Sequence, residues 1–433
     1  MSSRTAPRFG TLDRTVRWNF VANIMDGALF AFAMSFVSQQ TVLPVFVRAI
    51  GGGNIAIGLI PVLWTFGFNF PQILIAGHAQ RQRRKKPLLL KTALGQRIPW
   101  LLLAFATYFL FGSVGTTAAL VMFFLLYTMA AVAGSINLPV WFDLIARLTP
   151  VHVRGRLFGG RSIVGGLLGI LGGGVVTYVL SILPSAAGYA VLLSLTFLVM
   201  MVSYLFLMSL REDNGTLTNP DERNALRFRD LPHVLRSRPN YRNYLIADAL
   251  LICSMMGAAF FTIQAFDRFA LTDAYAGAFT MIMMASSIVA SLVFGMLADR
   301  YGHKVNLLVS ALTMTAACLA AMLAPSVGLY ALVFVASSVS TSLLLISRLP
   351  FIAELSPDHE RPTMVATVNM ITAPFVLSGI AAGWMANIFG YTIVFVLAAL
   401  FAAAAFVWLL TMVDEPRQKR MHDLAVVTER VQV

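Results

Sequence analysis

Two carboxylates lie inside long apolar runs, where an acidic side chain is costly. Asp26 falls within residues 18–46 and Asp248 within 241–268. A charge at the centre of a bilayer costs about 2.5–3.5 kcal/mol on insertion scales and is usually kept for a purpose. Asp26 is eight residues into its run, roughly 12 Å at helical rise. Asn19, Asn23 and Phe30 share its face at helical spacing. Burial disfavours a charged carboxylate, so such a group can exchange a proton as its surroundings open and close. Asp26 is thus the first proton-coupling candidate and Asp248 the second. The alternative is a carboxylate that fixes packing by pairing with a nearby arginine.

Other polar residues interrupt the apolar runs. Arg97, Arg161 and Arg348 enter from one end of their runs. Long cationic side chains can snorkel to headgroups, and that reading is preferred for Arg161. Arg348 continues a stripe of Ser337, Ser340, Thr341 and Ser347. A polar stripe in an apolar span faces a water-filled cavity or a partner helix. Arg348 would there contact an anionic substrate group or neutralise Asp26. Asn69 and Gln72 flank Pro71, which frees a backbone carbonyl. With Asn23, Asn137, Trp141 and Asn369 they complete the candidate cavity set, interhelical hydrogen bonding being the alternative. Met255, Met256, Met281, Met283 and Met284 would suit an adaptable apolar wall, or ordinary packing.

Cys253 and Cys318 both sit in apolar runs and read as packing residues. The sequence has no His/Cys cluster and no phosphate-binding loop, which argues against a metal site, a transport ATPase or a metalloenzyme. Neither metal nor cofactor is expected. No nucleophile–base set stands out in the loops, so an enzyme is not expected.

These side chains must be carried by membrane helices. The chain has 433 residues, 58% hydrophobic and only 12% charged, against about a quarter charged for soluble domains. A crossing helix needs about 20 apolar residues. Twelve fit, near 18–46, 54–77, 88–112, 117–146, 156–182, 187–210, 241–268, 274–297, 304–324, 327–353, 361–388 and 391–413. The expected class is an all-α polytopic membrane protein of two six-helix bundles. The boundaries are a tail at 1–17, a bundle at 18–210, a linker at 211–240, a bundle at 241–413 and a tail at 414–433. Within the linker, Leu226, Phe228, Leu231, Val234 and Leu235 among arginines suggest a short surface helix, or a plain solvated link. The start, 1–17, is basic and lacks a cleavage site, so no signal peptide is expected.

Of the 32 lysines and arginines, 30 fall on one side of this layout; Arg48 and Arg268 are the others. Positive charge marks the cytoplasmic side, which puts both termini and the linker there, in a cell (inner) membrane. The net charge of +13 is then a topology signal with a role at anionic lipid, not a nucleic-acid surface.

The segment from Gly295 to Lys304 carries Gly295, Leu297, Ala298, Asp299, Arg300, Gly302 and Lys304 between two apolar runs. It reads as a tight charged loop, with Gly295 allowing close packing and Gly302 a sharp turn. This segment resembles the G-x-L-A-D-R-x-G-x-K signature of the major facilitator superfamily of secondary transporters. An internal repeat agrees: Leu148, Pro150, His152 and Arg154 match Leu355, Pro357, His359 and Arg361, 207 residues on. Asn19 matches Asn243 more loosely, 224 residues on. The resemblance implies a six-helix duplication with the substrate site near mid-membrane between the halves.

The first-half loop departs from the signature, with Arg81 at the aspartate position and Arg84 at the second glycine. In the family that aspartate braces the inner surface against an arginine and a helix end. By resemblance, Asp299 with Arg361 and Glu354 brace the C-terminal half, and Asp143 substitutes as the partner of Arg154. Helix five holds Gly165, Gly169, Gly172, Gly173 and Gly174, which resembles the glycine motif of drug/proton antiporters with Ile170 in place of its proline. Close helix packing explains the run equally well.

The expected function is alternating-access transport of a small molecule by a monomer, coupled to protons, with sodium as the other candidate ion. Efflux of amphipathic compounds stands ahead of uptake of a sugar or other small metabolite. A non-transporting sensor or assembly factor is the reading from another class, and tails of 17 and 20 residues argue against it.

Overall fold

The computed structural model describes residues 13–80, 84–183, 185–212, 235–356 and 361–416. Every element named here is helical. In chain order they are α1 (Arg14–Ser35), α2 (Val42–Ala49), α3 (Asn54–Gln80), α4 (Lys86–Phe109), α5 (Thr116–Leu148), α6 (Val151–Ile182) and α7 (Ser185–Ser209). There follow α8 (Pro239–Ser254), α9 (Phe260–Phe269), α10 (Tyr275–Tyr301), α11 (His303–Leu323) and α12 (Val327–Leu355). The last are α13 (Arg361–Thr372), α14 (Ser378–Phe389) and α15 (Tyr391–Met412).

Three passages read as single helices are broken. Polar Ser38, Gln39 and Gln40 separate α1 from α2, and the Ser38 carbonyl restarts the chain by accepting from Val42 and Leu43. A 3-10 turn at Met255–Gly257 divides α8 from α9. Another at Ala373–Leu377 holds Pro374, whose missing N–H and ring forbid a continuous helix. Counting each broken pair once gives twelve helical passages among the described residues. Ten described stretches are long and apolar enough to cross a membrane. The chain is a multi-pass membrane protein. The surface-helix residues Leu226, Phe228, Leu231 and Val234 lie outside the described residues, as does Arg81.

The helices sort into two units, Met1–Pro220 with Ala270–Ala285, and Asp221–Phe269 with Ser286–Val433. The first part of α10 thus belongs to the first unit. In that unit α1 packs on α6 and α7, α3 on α5, and α4 on α5 and α7. Its inner core gathers Ala22, Leu89, Val140, Leu144 and Leu157. In the second unit α11 packs on α12 and α15, and α15 on α8, around Tyr241, Tyr244, Leu307, Phe351 and Leu409.

Lipid is as apolar as leucine, so helix association needs close backbone approach. The glycines of α6 supply it. A Cβ on Gly172 would fall 1.9 Å from Ser35 Oγ, and one on Gly165 would fall 3.1 Å from Ala31 Cβ, both on α1. One on Gly173 would meet the Gly277 carbonyl of α10 at 2.7 Å, and one on Gly169 the Met284 sulfur at 2.9 Å. Helix packing accounts for four of the five glycines that resemble the antiporter motif. It also places Met281 and Met284 in packing contacts.

The charged loop is tighter than its sequence suggests. Helix α10 runs through Asp299 and Arg300 to Tyr301, and α11 begins at His303. Gly302 alone makes the turn, at φ 93°, a conformation that disfavours side chains. A Cβ on Gly295 would meet nothing within 4 Å, so this glycine is not a close-packing residue in its unit.

Each unit also closes with the same clamp. The Asn19 amide bonds the backbone of Arg211 in both directions, at 3.0 and 2.9 Å. The Asn240 amide does the same with Asp414, at 3.0 and 2.8 Å. The structural counterpart of Asn19 is therefore Asn240, not Asn243. One residue past each clamp is a glutamate at a helix N-terminus. Glu212 accepts from the Lys85 and Lys86 N–H groups at 2.8 and 2.9 Å, and Glu415 from the Lys304 N–H at 3.0 Å. Carboxylates there satisfy orphan donors and complement the helix dipole.

Candidate functional site

Asp26 sits on α1 and is 4% exposed. Its Oδ2 lies 3.1 Å from Arg161 Nη1 on α6, and its Oδ1 accepts from Ser203 Oγ on α7 at 2.7 Å. Arg161 Nη1 also donates to Asn23 Oδ1 at 2.8 Å and to the Asn23 carbonyl at 3.0 Å. The guanidinium stacks over Trp141, 4.4 Å from the ring centre, a geometry that favours a cation. Behind Ser203 stands Arg97, 1% exposed. It donates to Ser203 Oγ at 3.1 Å and to the carbonyls of Met200 and Ala93 at 2.8 and 2.7 Å. Arg161 therefore does not snorkel away; it is the partner of Asp26, because α1 and α6 approach closely enough for it to reach.

Asp248 is fully buried on α8. Arg348 on α12 grips both its oxygens, Nε at 2.8 and 3.1 Å and Nη2 at 2.8 Å. Bidentate pairs of this kind are the stronger, more directional ones. The remaining donors reach Asn369 Oδ1 at 2.9 Å and Thr372 Oγ1 at 3.1 Å, on α13. Arg348 is thus engaged by Asp248 and does not neutralise Asp26. The two carboxylates sit in helices one and seven of the repeat, yet their cations come from helix five and helix ten. At the 207-residue spacing, Arg348 corresponds to Trp141. In one unit that position supplies the cation itself, and in the other it supplies the ring beneath a cation borrowed from α6.

The other candidates divide. Asn137 Nδ2 reaches Gln96 Oε1 at 3.5 Å, while Asn137 Oδ1 is buried without a hydrogen-bond partner. Asn69 is half-buried on α3; the side chain of Gln72 lies outside the described residues. Ser340 is not a cavity residue. Its hydroxyl donates to the Ser310 carbonyl at 2.8 Å, and Ser310 returns the bond, locking α12 to α11. Ser347 likewise accepts from Asn306 at 2.9 Å. The polar stripe on α12 faces a partner helix at these positions.

Asp143 is not the partner of Arg154. It pairs with Lys85 at 3.0 Å and with Arg147 at 3.2 Å, one turn along its own helix. Arg154 instead donates to the carbonyls of Thr149 and Ala146, closing the end of α5. Arg361 does the equivalent with Ala353 at 3.1 Å, the same 207 residues on. Glu354 lies 4.0 Å from His303 Nε2. Asp299 and Arg300 are exposed in the last turn of α10. Sequence reasoning missed Ser203, Glu212 and Glu415, whose partners lie more than 100 residues away. A cavity of about 500 Å³ lined by Phe46, Ile50, Phe111, Thr116, Ser185 and Tyr189 shares no residue with the Asp26 cluster.

Each unit of this polytopic helical protein thus holds one buried acid–arginine pair. The family model of the Major Facilitator Superfamily matches residues 266–425. No curated protein matches the chain. Its fold is similar to a variant of the nucleoside transporter NupG, with TM-score 0.70 and 16% identity over 92% of this chain and 100% of that one. It is similar to a D-xylose–proton symporter, with TM-score 0.70 and 14% identity over 93% and 99%. It is also similar to a bacterial homologue of the human lysosomal transporter Spinster, in its inward-facing and occupied form, with TM-score 0.68 and 13% identity over 92% and 97%. The family model thus covers the C-terminal part of the chain, and over nine-tenths of its length the fold is similar to that of these solved transporters.

Proposed function

We propose that this protein moves a small molecule across a cell membrane by alternating access, with proton exchange at Asp26 coupled to the movement. The observation that carries this is the Asp26 pair. A carboxylate shielded from water is held by one arginine nitrogen at 3.1 Å and one serine hydroxyl at 2.7 Å. Protonating Asp26 removes the charge that holds Arg161, and so converts a proton into a helix rearrangement between α1 and α6. The Asp248 pair uses three contacts and is the better built to stay closed.

The solved transporters that share the fold carry nucleosides and D-xylose, so the likeness supports the transport mode and not one cargo. Export of amphipathic compounds is the direction we favour, on the acidic residue of helix one; uptake of a small metabolite is the alternative. The Lys and Arg distribution supports two six-helix halves with both termini cytoplasmic. Asp299 and Arg361 are then cytoplasmic-side bracing residues.

The test is the internal pH of sealed proteoliposomes holding the purified protein, with a substrate panel and Asp26→Asn in parallel. Substrate-triggered proton movement that disappears in the variant supports the assignment, and its sign separates export by exchange from co-transport. Movement that persists in Asp26→Asn transfers the role to Asp248. Movement that follows a sodium gradient instead removes the proton from the scheme.

A further inference from the structure

Charge does not balance around Asp26. Arg97 and Arg161 both converge on this single carboxylate, Arg161 directly and Arg97 through Ser203. The other described carboxylates of the unit are bonded elsewhere: Asp13 to Thr15, Asp143 to Lys85 and Arg147, Glu212 to Lys85 and Lys86, Asp273 to Ser185 and Tyr189. The cluster therefore holds two cations and one anion in a water-poor setting, where an unmatched charge is costly.

Donors are also left over at the same place. Arg161 makes its three hydrogen bonds through Nη1 alone, and 21% of its side chain remains exposed. Beside it, Asn23 Nδ2 and Trp141 Nε1 are buried N–H groups with no hydrogen-bond partner. Asn23 is 1% exposed and Trp141 9%. Both belong to the residues that hold the Arg161 guanidinium, Asn23 by hydrogen bond and Trp141 by ring stacking. Buried donors are nearly always satisfied, so two together beside a half-used guanidinium call for an acceptor. The Asp248 cluster is the internal contrast. There one arginine meets one carboxylate, and Nε, Nη1 and Nη2 are all engaged.

We infer that Arg161, Trp141 and Asn23 form a subsite for an anionic group, a carboxylate or a phosphate, on the transported molecule. This rests on the transporter reading and names its substrate class as organic anions. The anion supplies the missing negative charge and accepts from the idle N–H groups. It also competes with Asp26 for Arg161, so that arrival of substrate and protonation of Asp26 favour one another, which is the linkage of co-transport and so favours the uptake alternative over export by exchange.

The test uses the purified full-length protein in detergent, following unfolding temperature against benzoate, phenyl phosphate, benzyl alcohol and benzylamine at matched ionic strength. Trp141→Phe keeps the stacked ring and the Asp26–Arg161 pair while removing the N–H, so it should fold. Benzoate or phenyl phosphate should stabilise the wild type, and whichever acts identifies the anion. The apparent Kd should weaken roughly tenfold in Trp141→Phe, the loss of one charge-assisted hydrogen bond. Equal stabilisation by the alcohol or the amine overturns the inference. So does indifference to Trp141→Phe, or no stabilisation by any anion. If a neutral compound drives proton movement that Asp26→Asn abolishes, the coupling assignment stands while the anion subsite falls.

Discussion

Gly27 lies directly beneath Arg161: a Cβ at Gly27 would fall 2.0 Å from Arg161 Nε and 2.2 Å from its Cζ. The guanidinium reaches Asp26 across a gap that exists because the next residue has no side chain. Alanine in a helix interior ordinarily gains about 0.5–1 kcal/mol over glycine. Gly27→Ala should nonetheless push Arg161 off Asp26. Under the coupling proposed for Asp26, its initial rate of substrate-driven proton movement in proteoliposomes is expected to drop at least about tenfold, equivalent to 1.4 kcal/mol. Wild-type rates in Gly27→Ala would show that the position of Arg161 is unimportant.

Asp248 and Arg348 should behave as a structural pair. Asp248→Asn strands a buried arginine, and removing one partner of such a pair typically costs about 3–5 kcal/mol. Asp248→Asn with Arg348→Gln removes both charges and should recover most of that loss. Unfolding of the purified variants by heat or denaturant measures it. A double variant no more stable than the single would mean that the hydrogen bonds to Asn369 and Thr372, not the charge balance, hold this region.

Two glycines of α10 should respond oppositely to alanine. A Cβ on Gly277 would fall 2.3 Å from Thr177 N and 2.4 Å from the Gly173 carbonyl, both backbone atoms that cannot step aside. Gly277→Ala should destabilise by about 1–3 kcal/mol, the usual cost of overpacking. Gly295 has open space around the same position, and Gly295→Ala should be neutral or slightly stabilising for folding. Unfolding temperatures of the pair decide this, and equal effects would contradict the packing described for α6 and α10.

The two glutamate caps should be separable from transport chemistry. Glu212→Ala and Glu415→Ala each leave backbone donors at the start of α4 or α11 without their acceptor. A lost cap costs about 1 kcal/mol. Hydrogen exchange should accelerate in the first turn of the helix concerned and nowhere else. Unchanged exchange at Lys85, Lys86 or Lys304 would show that water replaces the carboxylate without loss.

Much of this molecule is legible in its sequence, because lipid imposes a simple rule. Any crossing segment must satisfy its backbone internally and present apolar side chains, so length and hydropathy mark the twelve passages. The repeat shows in Arg154 and Arg361, whose types and 207-residue spacing anticipate their matching bonds to the carbonyls of Ala146 and Ala353. Asp26 and Asp248 announce themselves by being charged in apolar runs. Partners are a different matter. Arg161 could as well have snorkelled, and Ser340 lies on the same polar stripe as Arg348, yet one meets Asp26 and the other turns to Ser310. Spacing along one helix fixes which residues share a face, not which neighbour that face meets or how closely. Close approach at Gly27, Gly165 and Gly172 brings Arg161 to Asp26, and crossing of separate helices brings Arg348 to Asp248. Contacts between residues about 100 or more apart in sequence arise only from packing in three dimensions, and tertiary structure alone decided them.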